Sequence, residues 1–171
     1  MTHSCKIWFR KVQSLSDIFV SCARHDRPNA ERLVKALRQR GWSVWWDTQL
    51  RAGDIFDEVI QAALGNAKCC LVLWSKNSVK SRWVRAEANE ASRKDVLVPV
   101  LLEDVDIPLM FSMMQTANLV GWSGTLPSAQ FDELAEAVAA VLSHTVNTEA
   151  KPRHAQPDAR SVTSTSSPSE L

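Results

Sequence analysis

Trp83 and Glu87 stand four residues apart in the run Arg82-Trp83-Val84-Arg85-Ala86-Glu87. On a helix that spacing brings both side chains onto one face. An indole can pack against a flat ring or a sugar, and a carboxylate can act on a developing positive charge. The same pair also has a structural explanation: a glutamate in an early helical turn favours the macrodipole, and a tryptophan packs as core. What surrounds the pair has to decide.

The surroundings alternate strand and helix. Asp17–Cys22 (DIFVSC) is a short apolar strand. Asp26 and Pro28 then open a helix as cap and first-turn residue. Its apolar stripe is Ala30, Leu33, Val34 and Leu37, and Gly41 ends it. Ser43–Trp46 is a second strand, followed by a loop from Asp47 to Gly53. Asp54 caps a second helix with Phe56, Val59, Ile60, Ala63 and Leu64 on one face, closed by Gly65. Cys69–Trp74 (CCLVLW) is a continuous apolar run, the pattern of a central parallel strand buried on both faces. Ser81 caps a third helix from Arg82 to about Arg93. Val96–Leu102 is a fourth strand. The segment from Asp104 to Thr116 is irregular, with Pro108 and three methionines. Asn118–Trp122 reads as a fifth strand, and Ser128 caps a last helix with Phe131, Leu134, Ala135, Val138, Val141 and Leu142 inside.

This alternation predicts a parallel sheet with helices on both faces. About five strands make the flavodoxin-like, doubly wound order 2-1-3-4-5 the leading topology. Ligands of such sheets bind beyond the carboxyl ends of the strands, at the switch point between strands 1 and 3. That rule selects Ser21 to Arg24 and Ser75 to Ser81, and the helix bearing Trp83 and Glu87 starts at the same edge. A phosphoacceptor receiver would need an aspartate ending strand 3, but Trp74-Ser75 stands there. A phosphate cradle would need a glycine-rich turn after strand 1, and SCARHDRP contains no glycine.

Composition narrows the class. The chain has 171 residues, 45% of them apolar and 23% charged, which suits one soluble domain. A net charge of +1 indicates no field for nucleic acid. Apolar runs are strand length, far from the roughly 18–20 residues that span a bilayer. The N-terminus MTHSCKIWFRK lacks a signal-peptide core, so a cytoplasmic location away from membranes is expected. The four cysteines form no C-x-x-C pair and the histidines are scattered, so no metal site is expected; Cys69 and Cys70 read as buried thiols on opposite strand faces. Residues 1–16 form an extension, 17–144 the domain, and 145–171 a polar tail too poor in apolar groups to order.

From Asp17 to about Ser143 the sequence resembles a Toll/interleukin-1 receptor (TIR) domain of the bacterial kind. The resemblance is carried by DIFVSCARHD (17–26), GWSVWWD (41–47), LRAGDIFDEVIQAAL (50–64) and LVLWSKNSVKSRWVRAEANEA (71–91), in family order and spacing. TIR domains are either scaffolds that associate with other TIR domains or enzymes that cleave NAD⁺ between nicotinamide and ribose. Enzymatic members carry a glutamate after the third strand, often as W-x-x-x-E, which falls on Glu87 with Trp83. The resemblance therefore implies an NAD⁺ glycohydrolase or cyclase with Glu87 catalytic. NAD⁺ is then a substrate, and no cofactor is implied. The alternative is a scaffold for TIR–TIR signalling without turnover.

Further positions follow from the resemblance. Ser21, Ala23 and Arg24 lie in the loop that contacts nicotinamide and ribose in family enzymes, where Arg24 could pair with phosphate or orient Glu87. Trp46 ends strand 2. Ile55 matches a position where some relatives cover the nucleotide with an aromatic ring, and an isoleucine cannot stack in that way. Ser75 could donate to ribose or phosphate. The loop from Asp47 to Gly53, the BB loop of the family, implies self-association that completes the site of a neighbouring copy. A single carboxylate is chemically sufficient. A glycosidase must protonate a leaving oxygen and so uses two carboxylates, whereas NAD⁺ loses an already cationic pyridinium as neutral nicotinamide.

Overall fold

The computed structural model describes residues 16–46 and 56–149, with side chains for 16–46 and 60–145. The loop 47–53, Asp54, Ile55, most of the N-terminal extension and the tail from residue 150 lie outside the described residues. Five strands, β1 (Ile18–Ser21), β2 (Val44–Trp46), β3 (Cys69–Trp74), β4 (Leu97–Leu101) and β5 (Ala117–Asn118), form one sheet in the order β2-β1-β3-β4-β5. Every pairing is parallel, with Ser21 beside Val72 and Trp74 beside Leu101. The helices are α1 (Arg27–Gln39), α2 (Phe56–Asn66), α3 (Arg82–Arg93), α4 (Leu109–Ser112) and α5 (Ala129–Glu149).

Strand alternation divides the core into two layers. Ile18, Val20, Cys69, Leu71, Leu73, Val98 and Val100 meet α1 and α5 on one face. Phe19, Cys70, Val72 and Trp74 meet α2, α3 and α4 on the other. All six positions of β3 are buried, the burial its unbroken apolar sequence predicts for the middle of a doubly wound sheet. Cys69 and Cys70 fall in opposite layers, both as free thiols. Burial pushes the Cys69 thiol up to about 12.

Local chemistry moves three boundaries from their sequence-based positions. β5 is two residues long, because the Asn118 side-chain oxygen accepts the Val120 N–H and Gly121, at φ 76°, turns the chain away. α2 runs through Gly65 to Asn66. α5 continues past Thr145 to Glu149, with the Thr145 hydroxyl bonded back to the carbonyls of Val141 and Leu142. Gly41 does close α1, at φ 89°, and Ser128 meets the Phe131 N–H at the start of α5.

Candidate functional site

Ser21 is the last residue of β1 and shares the face of Phe19, so its side chain points toward the α2–α3 layer. Across from it α3 starts at Ser81, whose hydroxyl accepts the Val84 N–H at 3.3 Å. The helix packs through Val84, Ala88 and Ala91, and Glu87 falls within that stripe. It is a carboxylate where an apolar residue would be usual, only 8% exposed.

Glu87 has a donor on each oxygen. Trp83 Nε1 donates to Oε1 at 2.6 Å, and the Ser21 hydroxyl donates to Oε2. A carboxylate held by two donors in a buried setting has its position and direction set. Trp83 is 41% exposed, so its ring faces the opening while its nitrogen reaches inward. The pair lines a cavity of about 460 Å³ between α2 and α3, with Ile60, Leu64 and Ala86 as apolar wall. Cys70 is fully buried in the same layer, and its thiol is pushed well up by burial and then by the Glu87 charge.

A second polar cluster occupies the same sheet edge. The Ser75 hydroxyl donates to Asp26 at 2.6 Å and accepts the Asn77 and Ser78 N–H groups at 3.1 Å each. Burial pushes the Asp26 carboxyl above its ordinary value, against the opposing pull of the Ser75 hydroxyl. This overturns one sequence-based expectation: Asp26 is no side-chain cap of α1, since its carboxylate reaches across to Ser75 instead. Ser75, the expected donor to ribose or phosphate, is fully buried, and its hydroxyl donates to Asp26.

The remaining candidates spread out. Ala23 is half-buried and its carbonyl accepts the Asp26 N–H at 2.9 Å. Arg24 is exposed and makes no hydrogen bond or ion pair to Glu87 among the described residues. Trp46 packs in the α1–α5 layer, the sheet face opposite Glu87; its neighbour Trp45 instead stacks on Phe19 at 4.9 Å. Strand alternation, applied from Ser21 and Phe19 across to β2, would have separated the two tryptophans. Ile55 lies outside the described residues. Among the described residues no group of three or more His, Cys, Asp or Glu side chains could hold a metal ion, and no helix is long and apolar enough to cross a membrane.

Comparison with known proteins agrees with this architecture. Over 91 residues the chain is 34% identical to the 2' cyclic ADP-D-ribose synthase BtTIR of Bacteroides thetaiotaomicron, covering 49% of this chain and 32% of that protein. It is 32% identical over 91 residues to the NAD(+) hydrolase PdTIR of Paracoccus denitrificans, covering 49% and 30%. The matched stretch is thus about a third of the length of these curated relatives. Among solved structures, the TIR domain of the Toll-related receptor TRR-2 from Hydra magnipapillata superimposes with a TM-score of 0.55 at 18% identity, covering 78% of this chain and 97% of that one. A TIR-STING receptor from C. gigas gives 0.60 at 22%, covering 72% and 39%. At such identities these two structures speak to the fold alone. A family model described as TIR domain matches residues 18–149, and the chain belongs to the TIR domain family.

Proposed function

We propose that this protein cleaves NAD⁺ at the nicotinamide–ribose bond, with Glu87 as the catalytic carboxylate. The observation that carries the reading is Glu87 itself, at the wall of a cavity beside Trp83, with Trp83 Nε1 and Ser21 Oγ donating to its two oxygens. A carboxylate buried in a packed helix stripe costs stability unless it is partnered, and this one is partnered on the side of an opening. The bacterial relatives named as a cyclic ADP-ribose synthase and an NAD⁺ hydrolase support the same chemistry.

In this reading nicotinamide leaves with the electron pair that joined it to the ribose, which neutralises its ring nitrogen. No proton donor is needed. Positive charge grows on the ribose carbon and ring oxygen, and the fixed Glu87 carboxylate stabilises it without reorganising. The half-exposed Trp83 ring offers a flat face to nicotinamide or ribose. Water then adds to the ribose carbon and releases a proton, giving ADP-ribose. An adenosine group adding in its place gives a cyclic isomer. Activity is proposed to depend on self-association through the loop from Asp47 to Gly53.

The test is nicotinamide release from NAD⁺ across a range of protein concentrations, beside Glu87→Ala. Activity in the parent with a loss of roughly 10²–10³-fold in the variant supports the reading. A specific rate that climbs with concentration supports assembly. No release from folded protein at any concentration would overturn the enzyme reading and leave a scaffold for other TIR domains.

A further inference from the structure

Ser21 reaches Glu87 only if the end of β1 and the start of α3 keep their separation. Those two segments are 61 residues apart in sequence, from Ser21 to Arg82, and among the described residues no strand pairing reaches beyond Ser21 to fix the loop after it. The cluster around Ser75 bridges this gap. Asp26 lies in the 3-10 turn Arg24–Asp26 that follows β1. Its carboxylate accepts the Ser75 hydroxyl, while Ser75 Oγ accepts the N–H groups of Asn77 and Ser78. One donor and two acceptor positions exhaust a hydroxyl. The turn is wound further by the Ser75 N–H donating to Ser78 Oγ at 2.7 Å and by the Val79 N–H donating to the Ser75 carbonyl at 3.1 Å. The Ser81 N–H then donates to the Ser78 carbonyl, and Ser81 caps α3. An unbroken series of hydrogen bonds runs from Asp26 to the first turn of α3, where Trp83 sits.

Three of its members, Asp26, Ser75 and Ser78, are buried. A buried carboxylate is costly beside an apolar alternative, so a fold that needed only packing here gains nothing from an aspartate. From the other side the Lys76 N–H donates to Glu103 at 2.8 Å, so the loop after β4 braces the same turn.

We propose that Asp26 is a positioning residue for the Glu87 site: by accepting the Ser75 hydroxyl it ties the loop after β1 to the turn that starts α3, and so sets where Trp83 and Glu87 meet Ser21. The inference rests on the reading of Glu87 given above. It assigns Asp26 no contact with substrate.

The experiment compares Asp26→Ala and Ser75→Ala, which break the bond, with Asp26→Asn, whose amide oxygen still accepts the hydroxyl. The first readout is the Trp83 indole N–H in nitrogen–proton correlation spectra, assigned by its loss in Trp83→Phe. At temperatures where circular dichroism shows each variant folded, its exchange with solvent should quicken about tenfold in both breaking variants, as the loss of one hydrogen bond implies. It should stay at the parental rate in Asp26→Asn. The second readout is NAD⁺ turnover, where kcat should fall roughly 10- to 100-fold in the breaking variants with KM changing less, and recover in Asp26→Asn. An unchanged indole signal in a folded breaking variant would overturn the proposal. If Asp26→Ala does not fold, Ser75→Ala and Asp26→Asn carry the comparison. A parent with no turnover would defeat the reading of Glu87, while the indole signal would still decide the role of Asp26.

Discussion

Replacing Ser21 with alanine removes one of the two side-chain hydrogen bonds seen on Glu87 among the described residues and leaves the rest of the strand intact. Ser21 is 2% and Glu87 8% exposed, so solvent neither screens this contact much nor replaces the lost hydroxyl readily. A hydrogen bond to a charged group contributes about 1.5–3 kcal/mol. If that stabilisation is felt in the transition state, each 1.4 kcal/mol or so is tenfold in rate, and kcat should fall about 10- to 150-fold. Trp83 Nε1 still holds the other oxygen, so the loss should stay below that of Glu87→Ala. The assay is steady-state nicotinamide release, with thermal unfolding run in parallel. A folded Ser21→Ala variant with the parental kcat would refute the view that this bond orients the carboxylate.

Two further predictions concern stability. Burial by itself would raise the Asp17 carboxyl, but the Ser43 hydroxyl and N–H and the Lys68 ammonium bring it below its ordinary value of 3.8. A lowered carboxyl stabilises the fold above its ordinary value and loses that contribution as pH falls through the lowered one. Asp17→Asn should therefore unfold at a lower temperature than the parent near neutrality, with the gap closing in acid; a gap that widens in acid would contradict the assignment. Among the described residues the buried Trp74 Nε1–H has no hydrogen-bond partner, while its ring packs 5.6 Å from Phe111. Removing an orphan donor returns about 1–3 kcal/mol, which offsets the smaller ring of phenylalanine. Trp74→Phe should then cost far less in chemical denaturation than the about 3–5 kcal/mol typical of a large aromatic truncated to alanine. Equal losses for Trp74→Phe and Trp74→Ala would show that the indole nitrogen is satisfied.

The parts of the fold legible in the sequence are those set by continuous local patterns. CCLVLW can only be a strand shielded on both faces, and β3 occupies those six residues. The stripe Ala30, Leu33, Val34 and Leu37 is buried throughout. β5 was less legible because its two residues, Ala117 and Asn118, carry no alternation, and a side-chain bond within the turn ends them. At the site, the spacing of Trp83 and Glu87 put them on one face, and the switch-point rule put Ser21 near them. Spacing could not show that Glu87 sits in the packed stripe of α3 while Trp83 stays at the opening, since that depends on the rotation of the helix against the sheet. Asp26 was hidden by its own plausibility as a cap. Its position just after β1 and that of Ser75 just after β3 were the available signal, because the parallel pairing of those strands brings both to one edge.

In the proposed reaction the charge of Glu87 drives loss of nicotinamide from NAD⁺. Glu87→Gln isolates this charge, because the amide keeps the size of the side chain and an acceptor for either the Trp83 or the Ser21 donor. Nicotinamide release by the parent, with a fall of at least roughly 10²-fold in a folded Glu87→Gln variant, is the predicted result. Release that is equal in the two proteins would contradict the account.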